Sequence, residues 1–372
     1  MQTFLYIAFI VVTIIQLYYW LYSFAPVAFR KREKDFPLAG DRLAPVSVVI
    51  CAKNEARRLR HNLPGILSQD YPDYEVLVVS DHSTDDSAAV LATLRQKYPR
   101  LKYWDWQDPE TDRPGKKAAL AFGIRQARHD WVLLTDADCR PVSSKWIAAM
   151  WMAASGGKSI GLGYAPYSYR PGLLNALIRH ETIITALLYL SAARRGRPYM
   201  GVGRNLLYRK QLFFRAGGFA GHRHIASGDD DLFIHQVATK DNTAIVDIPE
   251  ALVYSEPKTT IKSWLRQKRR HISTGSKYDT YTQFRLFLFA FSHFSHLFLG
   301  VLLLILGFGT VVAWCGLTVR ILAVGVICAR QRKKFREAQE AWYRVVLAEL
   351  FYPLYYLLLA PSLFSTKTQP WK

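Results

Sequence analysis

The chain has 372 residues, room for one α/β domain of ordinary size and several membrane segments. Half of its residues are apolar and 14% are aromatic, which excludes a disordered chain, and the four cysteines, Cys51, Cys139, Cys315 and Cys328, have the spacing of neither a zinc site nor a disulfide framework. A net charge of +20, from 49 basic and 29 acidic residues, points either to nucleic acid or to an anionic membrane surface and phosphorylated ligands.

The first segment decides between those two. Residues from about Thr3 to Phe24 carry no charge and are long enough to span a hydrocarbon core, so a transmembrane helix is expected over 1–26. A cleaved secretory signal fits poorly, because the run is long, lacks a basic start and has no small-residue cleavage site. Arg30, Lys31, Arg32 and Lys34 follow at once and mark the cytoplasmic side. A membrane is therefore the expected partner, and nucleic acid is not.

From 44 to 276 the pattern changes to short β-rich runs alternating with helical ones. Strands are expected over Val46–Cys51, Glu75–Ser80, Leu101–Trp104 and Trp131–Thr135, and helices over Arg57–Ser68, Ser87–Tyr98 and Lys116–Ala127. That alternation predicts an α/β domain built on a parallel sheet, whose ligands bind beyond the carboxyl ends of the strands. Polar residues follow each strand: Lys53-Asn54-Glu55, then Asp81-His82-Ser83-Thr84-Asp85, then Asp136-Ala137-Asp138. Two carboxylates one residue apart at a strand end suit a hard divalent cation, Mg²⁺ or Mn²⁺, which completes its shell with water and phosphate oxygens. Asp-Ala-Asp alone is a common turn sequence; its occurrence in order with the other two loops is the specific signal.

Further along, Leu173 to Leu190 has apolar residues at helical spacing and fits either an interfacial helix or a packed core helix. Gly201-Val202-Gly203-Arg204-Asn205 lacks the third glycine of a dinucleotide loop and reads as a tight backbone segment near the acceptor, with Asn205 a candidate contact. His222 and His224 read as polar-loop residues. Ser227 to Asp231 ends in three aspartates, which fits a helix cap or a catalytic base with raised proton affinity. Lys258 to His271 alternates basic residues with Ile261, Trp264 and Leu265, as an interfacial helix or a nucleic-acid patch does; the apolar run just after it favours the interface.

Three more apolar runs close the chain, at about Leu286–Phe308, Gly309–Cys328 and Val345–Phe364. The first two predict a transmembrane hairpin over 284–328, followed by the cytoplasmic basic stretch Arg330 to Arg336. The last, over 344–365, fits either a spanning or an interfacial helix. Arg320 either snorkels or pairs with Glu349.

The ordered set Lys53-Asn54-Glu55, Asp81-x-Ser-Thr-Asp85, Gly115-Lys116, Asp136-Ala137-Asp138, Gly228-Asp229-Asp230 and Gln267-Lys268-Arg269-Arg270-His271 resembles the membrane-bound inverting glycosyltransferases of the cellulose, chitin and hyaluronan synthase family. The resemblance implies a GT-A domain, a nucleotide-diphospho-sugar transferase of Rossmann-like α/β architecture, with its catalytic side on the cytoplasmic face of a bacterial inner membrane. It implies a UDP- or GDP-sugar donor, a lipid-linked or glycan acceptor, and Mg²⁺ or Mn²⁺ as cofactor. Asn54, Glu55, Asp81, Lys116 and Asp136 then belong to donor binding, with Gln267 and Arg270 on the diphosphate, and Asp138 ligates the metal. The catalytic base lies in the aspartate trio. The glycine-acidic-Asp pattern selects Asp230; the downstream Asp231-Leu232 pair selects Asp229. Trp264 and His271 are the acceptor-side residues, His271 standing where the family carries tryptophan.

The chemistry agrees with these roles. An inverting transfer needs one carboxylate to take the acceptor proton and positive charge on the departing diphosphate. A catalytically silent sugar-nucleotide scaffold is disfavoured because every acidic motif is kept, and a nucleotidyltransferase because of the 267–271 segment and the membrane runs.

Overall fold

The computed structural model of the chain describes residues 1–30, 43–106, 115–223, 225, 227–338 and 340–363. The chain divides into two compact units, one of residues 1–31, 169–191 and 258–365 and the other of 32–168, 192–257 and 366–372.

The second unit is the α/β domain. Its strands are β1 (Val46–Ala52), β2 (Tyr74–Asp81), β3 (Leu101–Trp106), β4 (Trp131–Asp136), β5 (Cys139–Pro141), β6 (Ile160–Gly163), β7 (Leu206–Arg209), β8 (Thr243–Val246) and β9 (Val253–Ser255). Seven of them form one sheet in the order β3-β2-β1-β4-β7-β6-β8, while β5 and β9 pair separately. The four strands expected from the sequence are present and mutually parallel, each extended by one or two residues at an end. The sheet as a whole is mixed: β7 runs antiparallel to both β4 and β6. Strands β5 to β9 are three or four residues long. Runs that short carry no readable alternation, so they escape a sequence reading.

Every residue of β1 and β2 is buried, as strands covered on both faces require. Helix Lys116–Gln126 lies close on this sheet through Gly123, where an added Cβ would come within 2.8 Å of Val49 Cγ1. The sheet's apolar face joins Trp146, Ile147 and Met150 of helix Trp146–Ser155 in one core.

The first unit is helical. Among the described residues, five helices are long and apolar enough to cross a membrane: Gln2–Ala28, Leu173–Arg194, Thr280–Ile305, Thr310–Lys334 and Trp342–Ser362. Four are the expected runs. The fifth, Leu173–Arg194, is largely buried, with Ile178, Ile183, Leu187 and Leu190 inside. It takes the packed alternative. The 258–276 stretch also groups with this unit, so the α/β domain ends before the boundary expected at 276. The hairpin turns at Gly307 and Gly309, whose φ values of 68° and 51° favour glycine. Arg320 pairs with Glu349 at 2.7 Å, both fully buried, and Glu349 also meets His180 at 2.6 Å.

Candidate active site

The loops after β1 and β2 are laced together by short polar side chains. Asn54, at a positive φ of 53°, receives the Thr84 N–H on its Oδ1 at 2.8 Å and gives its own N–H to Ser83 Oγ at 3.0 Å. Asp85 accepts the Ala56 N–H, and Ser87 Oγ accepts that of Glu55. Glu55 is buried, and its two carboxylate oxygens share Nη1 of Arg58 as donor, at 2.7 and 3.0 Å. Asp81 is wholly buried at the end of β2: Oδ2 accepts the Gly115 N–H at 2.8 Å and Oδ1 faces His82 Nδ1 at 2.5 Å. Burial raises the Asp81 carboxyl above its usual range against these two partners. Its hydrogen bond sets the start of helix Lys116–Gln126, and so sets Lys116.

Lys116 joins two distant parts of the sequence. Its Nζ lies 3.2 Å from Asp136 Oδ1, at the end of β4, and 2.9 Å from Asp229 Oδ2. Burial alone would lower its proton affinity, but Asp136, Asp229 and Asp230 outweigh it and hold the ammonium charged well above the ordinary range. Asp230 caps helix Asp231–Val237, its Oδ1 accepting the Asp231 N–H at 2.8 Å. Its Oδ2 accepts the Gly203 N–H at 2.7 Å. Burial and the flanking Asp229 and Asp231 push Asp230 up to about 7, with Lys116 and Gly203 opposing. The cap and the base read from the sequence as alternatives are thus compatible in one side chain. Lys117, the next residue, donates to the carbonyls of His222 and Ile225 at 2.6 and 2.9 Å and ties down the loop ahead of the aspartates. His222 is buried, not a loop-surface residue, and His224 lies outside the described residues.

Asp138 sits in the turn from β4 to β5, which Asn62 fixes by donating to the Ala137 carbonyl at 3.1 Å. Asp138 Oδ1 accepts from Ser255 Oγ at 3.2 Å. Burial first, then Asp136, raise its proton affinity, while Arg204 and Arg58 oppose. Among the described residues, no group of three or more His, Cys, Asp or Glu side chains is placed to hold a metal ion. A cation here would draw on the Asp136–Asp138 carboxylates and fill its shell with water and phosphate oxygens. That donor set is all oxygen, Asp138 Oδ2 makes no protein hydrogen bond among the described residues, and the pair fits Mg²⁺ or Mn²⁺.

Two residues of the 201–205 segment change meaning. Asn205 is fully buried and its side chain is consumed by Trp146 Nε1, the Tyr164 carbonyl and the Ala251 carbonyl, at 2.8 to 3.0 Å. It braces β7 and is not a free contact, because each arm of its amide already has a buried partner. Arg204, which sequence reasoning passed over, lies over the ring of Tyr167 at 4.4 Å and acts on the charge of Asp136 and Asp138. One arginine among 49 basic residues gives no sequence signal.

The remaining expected residues lie on helix Ile261–Ile272 of the helical unit. Trp264 is buried and stacks on Tyr355, ring centroids 5.3 Å apart. Lys268 pairs with Glu181. Arg270 is half-buried with its Nε lacking a hydrogen-bond partner among the described residues, Gln267 is half-buried and His271 exposed.

The family description "Glycosyl transferase family 2" matches residues 47–227. A poly-beta-1,6-N-acetyl-D-glucosamine synthase of Staphylococcus epidermidis is 30% identical over 93 residues, 25% of this chain and 21% of that protein. Glycosyltransferase AglE of Haloferax volcanii is 28% identical over 188 residues, 50% of this chain and 58% of its own. The chain therefore spans less than two thirds of the length of either relative. Among solved structures, the mannosyltransferase PcManGT from Pyrobaculum calidifontis, in complex with GDP-Man and Mn²⁺, superposes with a TM-score of 0.58 at 19% identity, covering 93% of this chain and 98% of that one. The two share a GT-A fold.

Proposed function

Given that residues 47–227 form a glycosyl transferase family 2 domain on a GT-A fold, we propose that the protein moves a sugar from a nucleotide-sugar donor to a membrane-associated acceptor, with inversion at the anomeric carbon. The observation that carries this reading is the Lys116 bridge: one ammonium holds the end of β4 and the 229–231 turn in a single carboxylate-lined site. In that site Asp230 takes the proton of the attacking hydroxyl. A carboxyl near neutrality is matched to that task, since it is ionised at working pH yet basic enough to accept. Asp229 is the weaker candidate, its Oδ2 being engaged by Lys116. Asp136 and Asp138 would hold Mg²⁺ or Mn²⁺, which when bound would supply positive charge to the departing diphosphate. Asn54, Glu55 and Asp81 shape the loops that receive the nucleotide.

The acceptor is lipid-linked or a membrane-held glycan. The five apolar helices support a membrane location, and the basic stretches at 30–34 and 330–336 support a cytoplasmic site. The test is transfer by the purified full chain in detergent or lipid, with doubly labelled UDP- and GDP-sugars and Mn²⁺ or Mg²⁺. Product carrying the sugar label without the nucleotide label is expected. Product carrying the nucleotide would make the protein a nucleotidyltransferase, and nucleotide binding without turnover would make it a scaffold.

A further inference from the structure

The geometry points to Arg204 as a donor-site residue that grips the nucleoside diphosphate on its sugar-bearing phosphate, an assignment that rests on the nucleotide-sugar reading above. Arg204 is tied by neighbours to both halves of the site. Behind it, Gly203 gives its N–H to Asp230 at 2.7 Å. Beside it, the guanidinium lies 4.4 Å from the ring centre of Tyr167. Tyr167 bridges to Ser255, and Ser255 Oγ is 3.2 Å from Asp138. The arginine is thus the chain neighbour of a residue bonded to the base and three contacts from the carboxylate that fits a cation.

Its own hydrogen bonding is unfinished. Nη1 is buried and has no partner among the described residues. Arg204 forms no ion pair with Asp136 or Asp138 among the described residues, although both act on its charge. A guanidinium serving only to neutralise those carboxylates would bond to them, as Arg58 bonds to Glu55 and Glu256. Burying a charged donor without a partner is costly, and the cost is recovered when an anion arrives. The planar fork of arginine matches a phosphate in two places, and an aromatic platform under it holds the fork in orientation. The links through Tyr167 and Ser255 to Asp138 put the fork on the cation side of the site, across the sugar carbon from Asp230, and the tie through Gly203 keeps it at the sugar end, hence on the sugar-bearing phosphate.

The assignment is tested by equilibrium binding to the full chain in detergent with Mn²⁺, using UDP and GDP against UMP and GMP, for the wild type, R204Q and R204K. R204Q is expected to weaken the preferred diphosphate by about tenfold or more while changing the matching monophosphate by less than about twofold, with R204K in between. Equal diphosphate affinity in R204Q and wild type overturns the assignment. So does equal weakening of diphosphate and monophosphate, the mark of a purely structural arginine. Should R204Q fail to fold, R204K, which keeps the charge and removes the fork, decides by the same two comparisons. A wild type that binds none of the four nucleotides overturns the nucleotide-sugar reading itself, and the role of Arg204 with it.

Discussion

Asp230 holds a helix start and a glycine N–H with the same two oxygens that would receive a proton. Changing it to Asn keeps its shape and one acceptor while removing the negative charge. Asp230→Asn is expected to abolish transfer, leave donor affinity within about twofold, and cost about 1 kcal/mol, since one amide oxygen cannot accept both the Asp231 and the Gly203 N–H. Unchanged turnover would remove Asp230 from the mechanism. Since the carboxyl is pushed up to about 7, kcat/KM should be flat at alkaline pH and fall as pH drops below about 7, where the base becomes protonated. Lys116 poses the opposite problem. Lys116→Met strips Asp136 and Asp229 of their shared cation and should lower stability by about 3 kcal/mol near neutral pH, with the deficit shrinking in acid as the carboxylates protonate; thermal melts at two pH values check it. At this scale Asp81, Asp136 and Asp138 were legible because they stand at or just after strand ends, where such sheets bind ligands, and Asp229 to Asp231 because three aspartates in a row are rare enough to stand out. Arg204 and the brace role of Asn205 were not, because both depend on what a β-turn away happens to touch.

Among elements, helix Lys116–Gln126 shows how close packing is written in one glycine. Gly123→Val would drive side-chain atoms into Val49 and Val79 and should cost about 2 kcal/mol, measurable as a lowered melting temperature. A wild-type melt would show that the helix can move off the sheet without penalty. The four long strands were readable because each is a run of β-branched, aromatic or leucine residues set off by turn signals or polar stretches. Strand β7 was not. Its four residues gain meaning only from pairing antiparallel with β4 and β6. The helix Leu173–Arg194 had the spacing of an amphipathic surface helix. Its place inside the helical unit came from Arg179, His180 and Glu181, polar residues that find partners at Glu340, Glu349 and Lys268. Polar side chains on an apparently apolar helix read as an exposed face until those partners are seen.

Across the chain, the helical unit is held by polar side chains deep among apolar ones. Arg320 reaches Glu349 at 2.7 Å and Gln16 at 3.0 Å, and Gln16 in turn meets Ser292 at 2.8 Å. Arg320→Leu would leave Glu349 buried without its strongest partner and should cost about 3 kcal/mol, whereas Arg320→Leu combined with Glu349→Leu should recover most of it; detergent melts of the single and double variants decide. Composition, charge and apolar run length were enough by themselves to point to helices of membrane-spanning length beside one α/β domain with an ordered series of acidic loops, because hydropathy and strand-end chemistry are local properties of the chain. Which carboxylates meet, which arginine faces them, and which polar helix residues are buried belonged to the tertiary structure alone. Those facts depend on side chains more than a hundred residues apart arriving within 3 to 4 Å of one another, as Lys116 and Asp229 do, and no local pattern encodes such an encounter.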